Sequence, residues 1–315
     1  MWTAKAPSNI ALIKYMGKQE NNIPCNVSLS YTLDNFFTEV QLNLNGKSDS
    51  DEFINDILSE KERNRFLNHL QYIKNLLSFN GYFTLRSANS FPKSAGIASS
   101  ASSFAALTMC AFKAISDIKG IKMPSQEYMS SVSRIGSGSS CRSFFSPWCI
   151  WREEEAKRID LSVEVEHQLI LVNSEKKDIS SSEAHRRVRT SLLMHNRPQR
   201  AEFRCEKLIS ALKSGNWHEA YQICWEEFQD MHALFETSFP HFGYILPATL
   251  DALIKIHKFW KEHNDGPIVT LDAGPNIHLL WKKGNKEQQK SFYEEYDFQK
   301  FSFFGSDCNL FIANL

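Results

Sequence analysis

The chain has 315 residues, 42% of them hydrophobic, enough to bury a substantial core as two modest domains or one large one. Lysine plus arginine balances aspartate plus glutamate at 36 each, so no net field is available to hold a polyanion such as nucleic acid, and any anion must be bound locally. Seven cysteines without a Cys-x-x-Cys pair, ten histidines without a His-Glu-x-x-His pattern and no run of about 18 apolar residues argue against a disulfide framework, a zinc site and a membrane span, and a reducing cytosol fits best.

The N-terminal MWTAKAPSNIALIKYMGK is interrupted at Pro7, Ser8 and Asn9 before an apolar stretch can form, which is not the pattern of a signal peptide. Within NIALIKYMGK, Lys14 and Lys18 lie four apart with Tyr15 between them, either as solvated lysines at a strand end or as cations of a site. TEVQLNL sets Val40, Leu42 and Leu44 on one face of a half-buried strand. EKERNRFLNHLQYIKNLLSF repeats apolar residues at Phe66, Leu70, Ile73 and Leu77, the spacing of an amphipathic helix. YFTLRSA is a further strand and leads into FPKSAGIASSASSF, which runs straight into the helix-forming AALTMCAFKAI. Small side chains let a backbone approach something bulky, and a helix start leaves N–H donors without partners, so an anion is the natural guest. A serine N-cap ahead of a buried helix is the plain alternative.

PSQEYMSSVSRI predicts a helix with Pro124 near its start. In the following GSGSSCRS, Ser137, Ser139 and Arg142 offer hydroxyls, backbone donors and a guanidinium fork to a phosphate or carboxylate, unless the segment is simply a flexible loop. PWCIWRE and HQLILVNS are strand candidates. From about Ser182 to His263 the pattern is helical, with breaks at Pro198, Gly215 and Pro240. The arginine-dense EAHRRVRTSLLMHNRPQRAEFR is either a solvated helix face or the rim of an anionic pocket. GPIVTLDAGPNIHLLWKKG looks like two strands around a tight turn, where Asp272 either projects into a cleft or bonds its own backbone. A domain boundary near residues 175–180 divides the chain into 1–178 and 179–315.

A helix-start phosphate cradle, a serine–arginine anion site and a lone aspartate together form the inventory of a phosphoryl-transfer enzyme with a phosphorylated substrate. Neither a Gly-x-x-x-x-Gly-Lys-Ser/Thr motif nor a His-Arg-Asp loop is present. The ordered set APSNIALIKYMGK, FPKSAGIASSAS, RIGSGSSCRS and TLDAGPN closely resembles the diphosphomevalonate decarboxylases, members of the GHMP kinase superfamily. The resemblance implies an α/β (α+β) fold, with an N-terminal domain like domain 2 of ribosomal protein S5, a ferredoxin-like C-terminal domain and the active site in the cleft between them. It implies ATP-dependent conversion of 5-diphosphomevalonate to isopentenyl diphosphate, with homodimers the usual assembly and neither nucleic acid nor membrane as a partner.

The same resemblance assigns roles to residues. Asp272 orients or deprotonates the 3-hydroxyl, Lys18 supplies positive charge beside it, and Arg142 grips the substrate carboxylate. Tyr15, Met16, Gly17, Arg65, Ser137, Gly138, Ser139, Ser140, Cys141, Ser181 and Ser182 complete the substrate site. Lys93, Ser94, Ala95, Gly96, Ile97, Ala98, Ser99, Ser100, Ala101 and Ser102 hold the phosphates of ATP, with Mg2+ through Ser99 or Ser100. Two departures stand out. Met16 replaces the family's usual tryptophan, and SSSEAH lacks the Gly-Met that follows a Ser-Thr or Ser-Arg pair, leaving Arg186, Arg187 or Arg189 to supply a cationic contact. A mevalonate 3-kinase, a phosphomevalonate decarboxylase and a non-catalytic nucleotide-binding protein are the competing readings; keeping both Lys18 and Asp272 favours the complete reaction.

Overall fold

In the computed structural model, which describes residues 1–46, 49–54, 58–91, 99–173, 175, 177–295 and 302–305, the chain opens with β1 (Trp2–Ile13) laid antiparallel along the 17-residue β2 (Ser28–Leu44). Their register slips at Pro7/Ser8, where proline has no N–H to give to the ladder. Beyond the slip every residue from Ser8 to Ile13 is buried, so the strand is covered on both faces. β3 (Glu52–Phe53) and β4 (Phe83–Asn89) extend the sheet from the C-terminal half of β2, and β5 (Trp148–Arg152) and β6 (Glu155–Arg158) from its N-terminal end.

Three helices cover this sheet. α1 (Glu60–Leu76) buries Phe66, Leu70 and Ile73, as its periodicity predicts, and begins with Ser59 and Glu62 in a reciprocal capping box. α2 (Ser99–Lys119) packs on β1 and β2, with Ala105, Ala106, Ala111 and Ala114 fully buried; their small side chains let the helix approach the sheet closely. α3 (Gln126–Gly136) is capped by Ser125, so Pro124 lies just ahead of the helix. Val40 and Leu42 face the core as expected, whereas Leu44, at the strand end, is exposed.

The second sheet has the order β10-β7-β9-β8, formed by β7 (Val165–Leu171), β8 (Ile268–Leu271), β9 (Ile277–Lys282) and β10 (Ser302–Gly305), all antiparallel. The helical block resolves into α4 (Ser181–Arg187), α5 (Arg197–Ser214), α6 (Trp217–Glu236) and α7 (Pro247–His263), and α8 (Lys286–Glu295) follows β9. Pro198 sits in the first turn of α5, where its missing N–H costs nothing, while Gly215 caps the end of α5 at φ +71°. Among the described residues, no helix is long and apolar enough to cross a membrane.

The two sheets share one apolar seam. Ile10, Leu12 and Leu29 of the first pack with Leu169, Leu271 and Leu279 of the second, and Leu208 and Phe228 of α5 and α6 close over them. The C-terminal end of β1 therefore emerges where both halves of the molecule meet. Because α1 begins on a complete capping box, Ser59→Ala is expected to cost about 1 kcal/mol, read as a lower urea midpoint with an unchanged denaturant slope.

Candidate active site

Lys14 is the first residue beyond β1, and its side chain is only 2% exposed. The covered strand carries it inward, and its Nζ donates to Asp272 Oδ1 at 2.7 Å. Asp272 follows β8 directly and keeps 27% of its side-chain surface exposed, so a rigid support holds one carboxylate where a ligand can reach it. Burial pushes the Lys14 ammonium below its ordinary value, and Asp272 offsets part of that effect. For Asp272, burial alone would raise the carboxyl, but Lys14, then His278 and Arg142, outweigh it and hold it at about 2.

GSGSSCRS is a buried 3-10 turn, Gly138–Phe144, and not a flexible loop. Arg142, 4% exposed, donates from Nε to Asn9 Oδ1 at 3.0 Å and from Nη1 to Ser28 Oγ at 2.8 Å. Asn9 in turn donates to Ser143 Oγ at 2.8 Å and to the Ser139 carbonyl at 3.3 Å, which ties β1 to the turn. Ser137 Oγ lies 3.3 Å from Ser100 Oγ, so the turn meets the start of α2. Ser99 and Ser100 are half-buried there. Lys93, Ser94, Ala95, Gly96, Ile97 and Ala98 lie outside the described residues.

Several expected contacts turn inward instead. Ala101 and Ser102 are fully buried, and the Ser102 hydroxyl lies 2.7 Å from Thr38 Oγ1. Ser140 donates to the Ser137 carbonyl at 2.6 Å, and Cys141 packs in the core of the first half, so both side chains are turned into the protein. Met16, 2% exposed, packs with Met231, Phe235 and Ala273 in an apolar cluster.

Beyond Lys14 the chain passes from one half to the other. The Tyr15 ring lies 4.7 Å from Trp151 and 4.4 Å from His185, and its hydroxyl donates to the Asn22 carbonyl at 3.3 Å. Gly138 abuts that ring: a Cβ there would lie 2.5 Å from the Tyr15 oxygen. Gly17 has φ +83° and donates its N–H to His185 Nδ1 at 3.1 Å, while Lys18 Nζ donates to Asn22 Oδ1 at 2.7 Å. Arg65 reaches from α1 to the Gly136 carbonyl at 3.2 Å, and burial, then the charge of Arg65, lowers the Lys18 ammonium.

A cavity of about 950 Å³ opens here, lined by Lys18, Asn21, Ser182, His185, Arg186 and Arg189 among others. Ser181, also expected at the site, is exposed at the first position of α4. Glu183 binds Arg186 at 2.5 Å and Arg187 at 2.7 Å, and Arg187 leans over Phe242 away from this lining. The arginine-rich stretch is thus divided. Arg186 and Arg189 line the cavity, whereas Arg197, Arg200 and Arg204 bind Asp230 of α6 at 3.0, 2.8 and 2.7 Å.

Lys14 is one of the two candidate cations of NIALIKYMGK, but the resemblance gives it no role, and two further residues of the site, His185 and Lys177, are not among the sequence candidates. Lys14 reads as an ordinary lysine at a strand end until the strand is seen to be covered on both faces. His185 and Lys177 carry no motif. Lys177 donates to the Ala273 carbonyl and lies 5.6 Å from the Tyr244 ring centroid, with Asp272 partly offsetting the lowering that burial imposes on its ammonium.

Two family models match this chain: the diphosphomevalonate decarboxylase-like N-terminal domain over residues 6–163, and the mevalonate 5-diphosphate decarboxylase C-terminal domain over residues 168–302. A diphosphomevalonate decarboxylase of Ganoderma lucidum is 32% identical over 267 residues, an alignment that takes in 74% of this chain and 64% of that protein. The crystal structure of a mevalonate diphosphate decarboxylase from Legionella pneumophila superposes with a TM-score of 0.91 at 43% identity, covering 96% of this chain and 99% of that one. A structure described as MDDEF in complex with MVAPP, AMPPCP and magnesium superposes with a TM-score of 0.86 at 30% identity, covering 98% of each chain. The two-domain GHMP kinase fold of these structures is the fold of this chain.

The depressed carboxyl of Asp272 has a stability consequence of definite sign. Its contribution is full above the ordinary value of 3.8 and is lost as pH falls through about 2. Urea unfolding across that window should show a smaller acid-side loss of stability in Asp272→Asn than in the native protein, the remainder coming from other carboxylates such as Glu183 and Asp230. Gly17→Ala must place a side chain at φ +83° and against Met194, with an expected cost of about 1–2 kcal/mol in the same measurement.

Proposed function

The chain belongs to the diphosphomevalonate decarboxylase family, and from that premise we propose that it converts (R)-5-diphosphomevalonate and ATP to isopentenyl diphosphate, CO2, ADP and phosphate, a step of the mevalonate route to isoprenoids. The reaction proceeds through transient phosphorylation of the 3-hydroxyl. The observation that carries this reading is the 2.7 Å pair of Lys14 with Asp272, whose carboxylate is ionised at neutral pH and lies in the field of Arg142.

A tertiary hydroxyl is a poor leaving group, so it must first become a phosphate ester. A carboxylate held at about 2 is too weak a base to strip a free alcohol. Asp272 therefore orients the hydroxyl as a hydrogen-bond acceptor and takes its proton as the new O–P bond forms, when the oxygen has become acidic. A loose phosphoryl transition state needs little more than such positioning and charge. Lys14 keeps Asp272 anionic in the absence of substrate. Arg142, pre-oriented by Asn9 and Ser28, grips the substrate carboxylate, with Ser137 and Ser139 beside it. Departure of the phosphate drains electrons from C3, and the C–CO2 bond pair moves in to form the alkene as CO2 leaves.

Tyr15, Lys18, Arg186 and Arg189 serve the diphosphate end, which matches the cations that line the large cavity. Ser99 and Ser100, at the start of α2, serve the phosphates of ATP, where a helix N-terminus favours negative charge. Their half-buried hydroxyls are hard oxygen donors that would suit Mg2+ beside the nucleotide phosphates, where the ion would neutralise negative charge.

Incubation of the purified protein with ATP, Mg2+ and each mevalonate phosphate tests the reading. CO2 is expected only from the diphosphate; a phosphorylated product without gas would identify a kinase instead. Asp272→Asn is expected to keep nucleotide affinity and to lose about two to four orders of magnitude in kcat, measured by coupled ADP release.

A further inference from the structure

Lys14 has left the β1 ladder, so its peptide groups need other partners in a buried setting. Its N–H donates to Glu227 Oε1 at 2.9 Å. Its carbonyl accepts from Asn26 Nδ2 at 2.8 Å and from Arg197 Nη2 at 3.3 Å. The backbone carbonyl of Asp272 lies 3.2 Å from His232 Nε2; a carbonyl only accepts, so that ring nitrogen carries the proton. Glu227 and His232 both project from α6, five residues apart, or about 7.5 Å along a helix axis. One rigid helix therefore holds the main chain on both sides of the Lys14–Asp272 bond.

The cost of this arrangement is informative. Glu227 and Arg197 are fully buried, and such ion pairs rarely stabilise a fold more than well-packed apolar residues would. An apolar pair at these positions could not accept the Lys14 N–H. The further charges of Arg204 and Asp230 keep the group balanced, with Arg204 3.2 Å from Glu227 and 2.7 Å from Asp230. Without the clamp, the distance between ammonium and carboxylate would be left to the four-carbon stem of a lysine.

We propose that α6 sets the register of the catalytic pair, with Glu227 and His232 as positioning residues that fix the Lys14 and Asp272 main chains. The inference rests on the functional reading above, since it gives Asp272 a role in turnover. Displacements on the ångström scale in a phosphoryl-acceptor site cost about a hundredfold.

His232→Phe keeps an aromatic ring but removes the donor. Its kcat should fall about tenfold to a hundredfold, with KM for ATP and for the diphosphate within about twofold of the native values, and His232→Gln, which restores an N–H, should recover most of the loss. In an Asp272→Asn background, His232→Phe should bring no further loss, measured under single-turnover conditions with enzyme in excess. An equal loss in both backgrounds, a change confined to KM, or a lowered melting temperature with kcat intact would overturn the proposal. Should His232→Phe fail to fold, Glu227→Gln gives the same comparison, because it weakens the acceptor for the Lys14 N–H while keeping its shape; additive losses there would have the same adverse meaning. Full turnover by Asp272→Asn alone would instead remove the functional reading, so the two failures are distinguishable.

Discussion

One bond organises the site: the 2.7 Å contact between a lysine at the end of β1 and an aspartate at the end of β8. Each charge belongs to a different half of the chain, and each would be costly to bury alone. Their union is stable only if both strands end in the same place, so the packing that brings the sheets together and the chemistry that uses the pair constrain each other. The surrounding groups follow from this. Arg142 adds to the field that keeps Asp272 ionised, and His232 bonds the Asp272 main chain.

Much of the fold was legible from local pattern. The apolar spacing of α1 and the alternation of β2 are direct readouts of burial on one face, and Val40, Leu42, Phe66, Leu70 and Ile73 lie where that logic requires. The short motifs were legible as chemistry too: a glycine–serine turn carrying Arg142 meets the serine-rich start of α2, and Asp272 follows a strand. What escaped was long-range pairing. The acidic partners of Arg197, Arg200 and Arg204 come from α6, so the second half of the arginine-rich stretch looks unbalanced because its counter-charges are distant in the chain.

Lys14 illustrates the same limit from the other direction. A lysine beyond a strand end is ordinarily solvated, and only the covering of β1 by α2, α6 and the second sheet makes it an interior cation. The inward turn of Ser140, Cys141 and Ser102 has a related cause. In a tight 3-10 turn or the first turns of a buried helix, consecutive side chains point in different directions, so a motif matched residue by residue contains positions that serve the scaffold.

The apolar seam shared by the two sheets carries a mechanical consequence. A swing of one half as a rigid lobe against the other would have to part Ile10, Leu12 and Leu29 from Leu169, Leu271 and Leu279. Each such side chain contributes about 1.5–3 kcal/mol on burial, so prising the six apart would consume a sum comparable to the whole stability margin of a folded domain. The halves therefore share one core, and opening them as separate lobes would cost a large part of the stability of the fold itself.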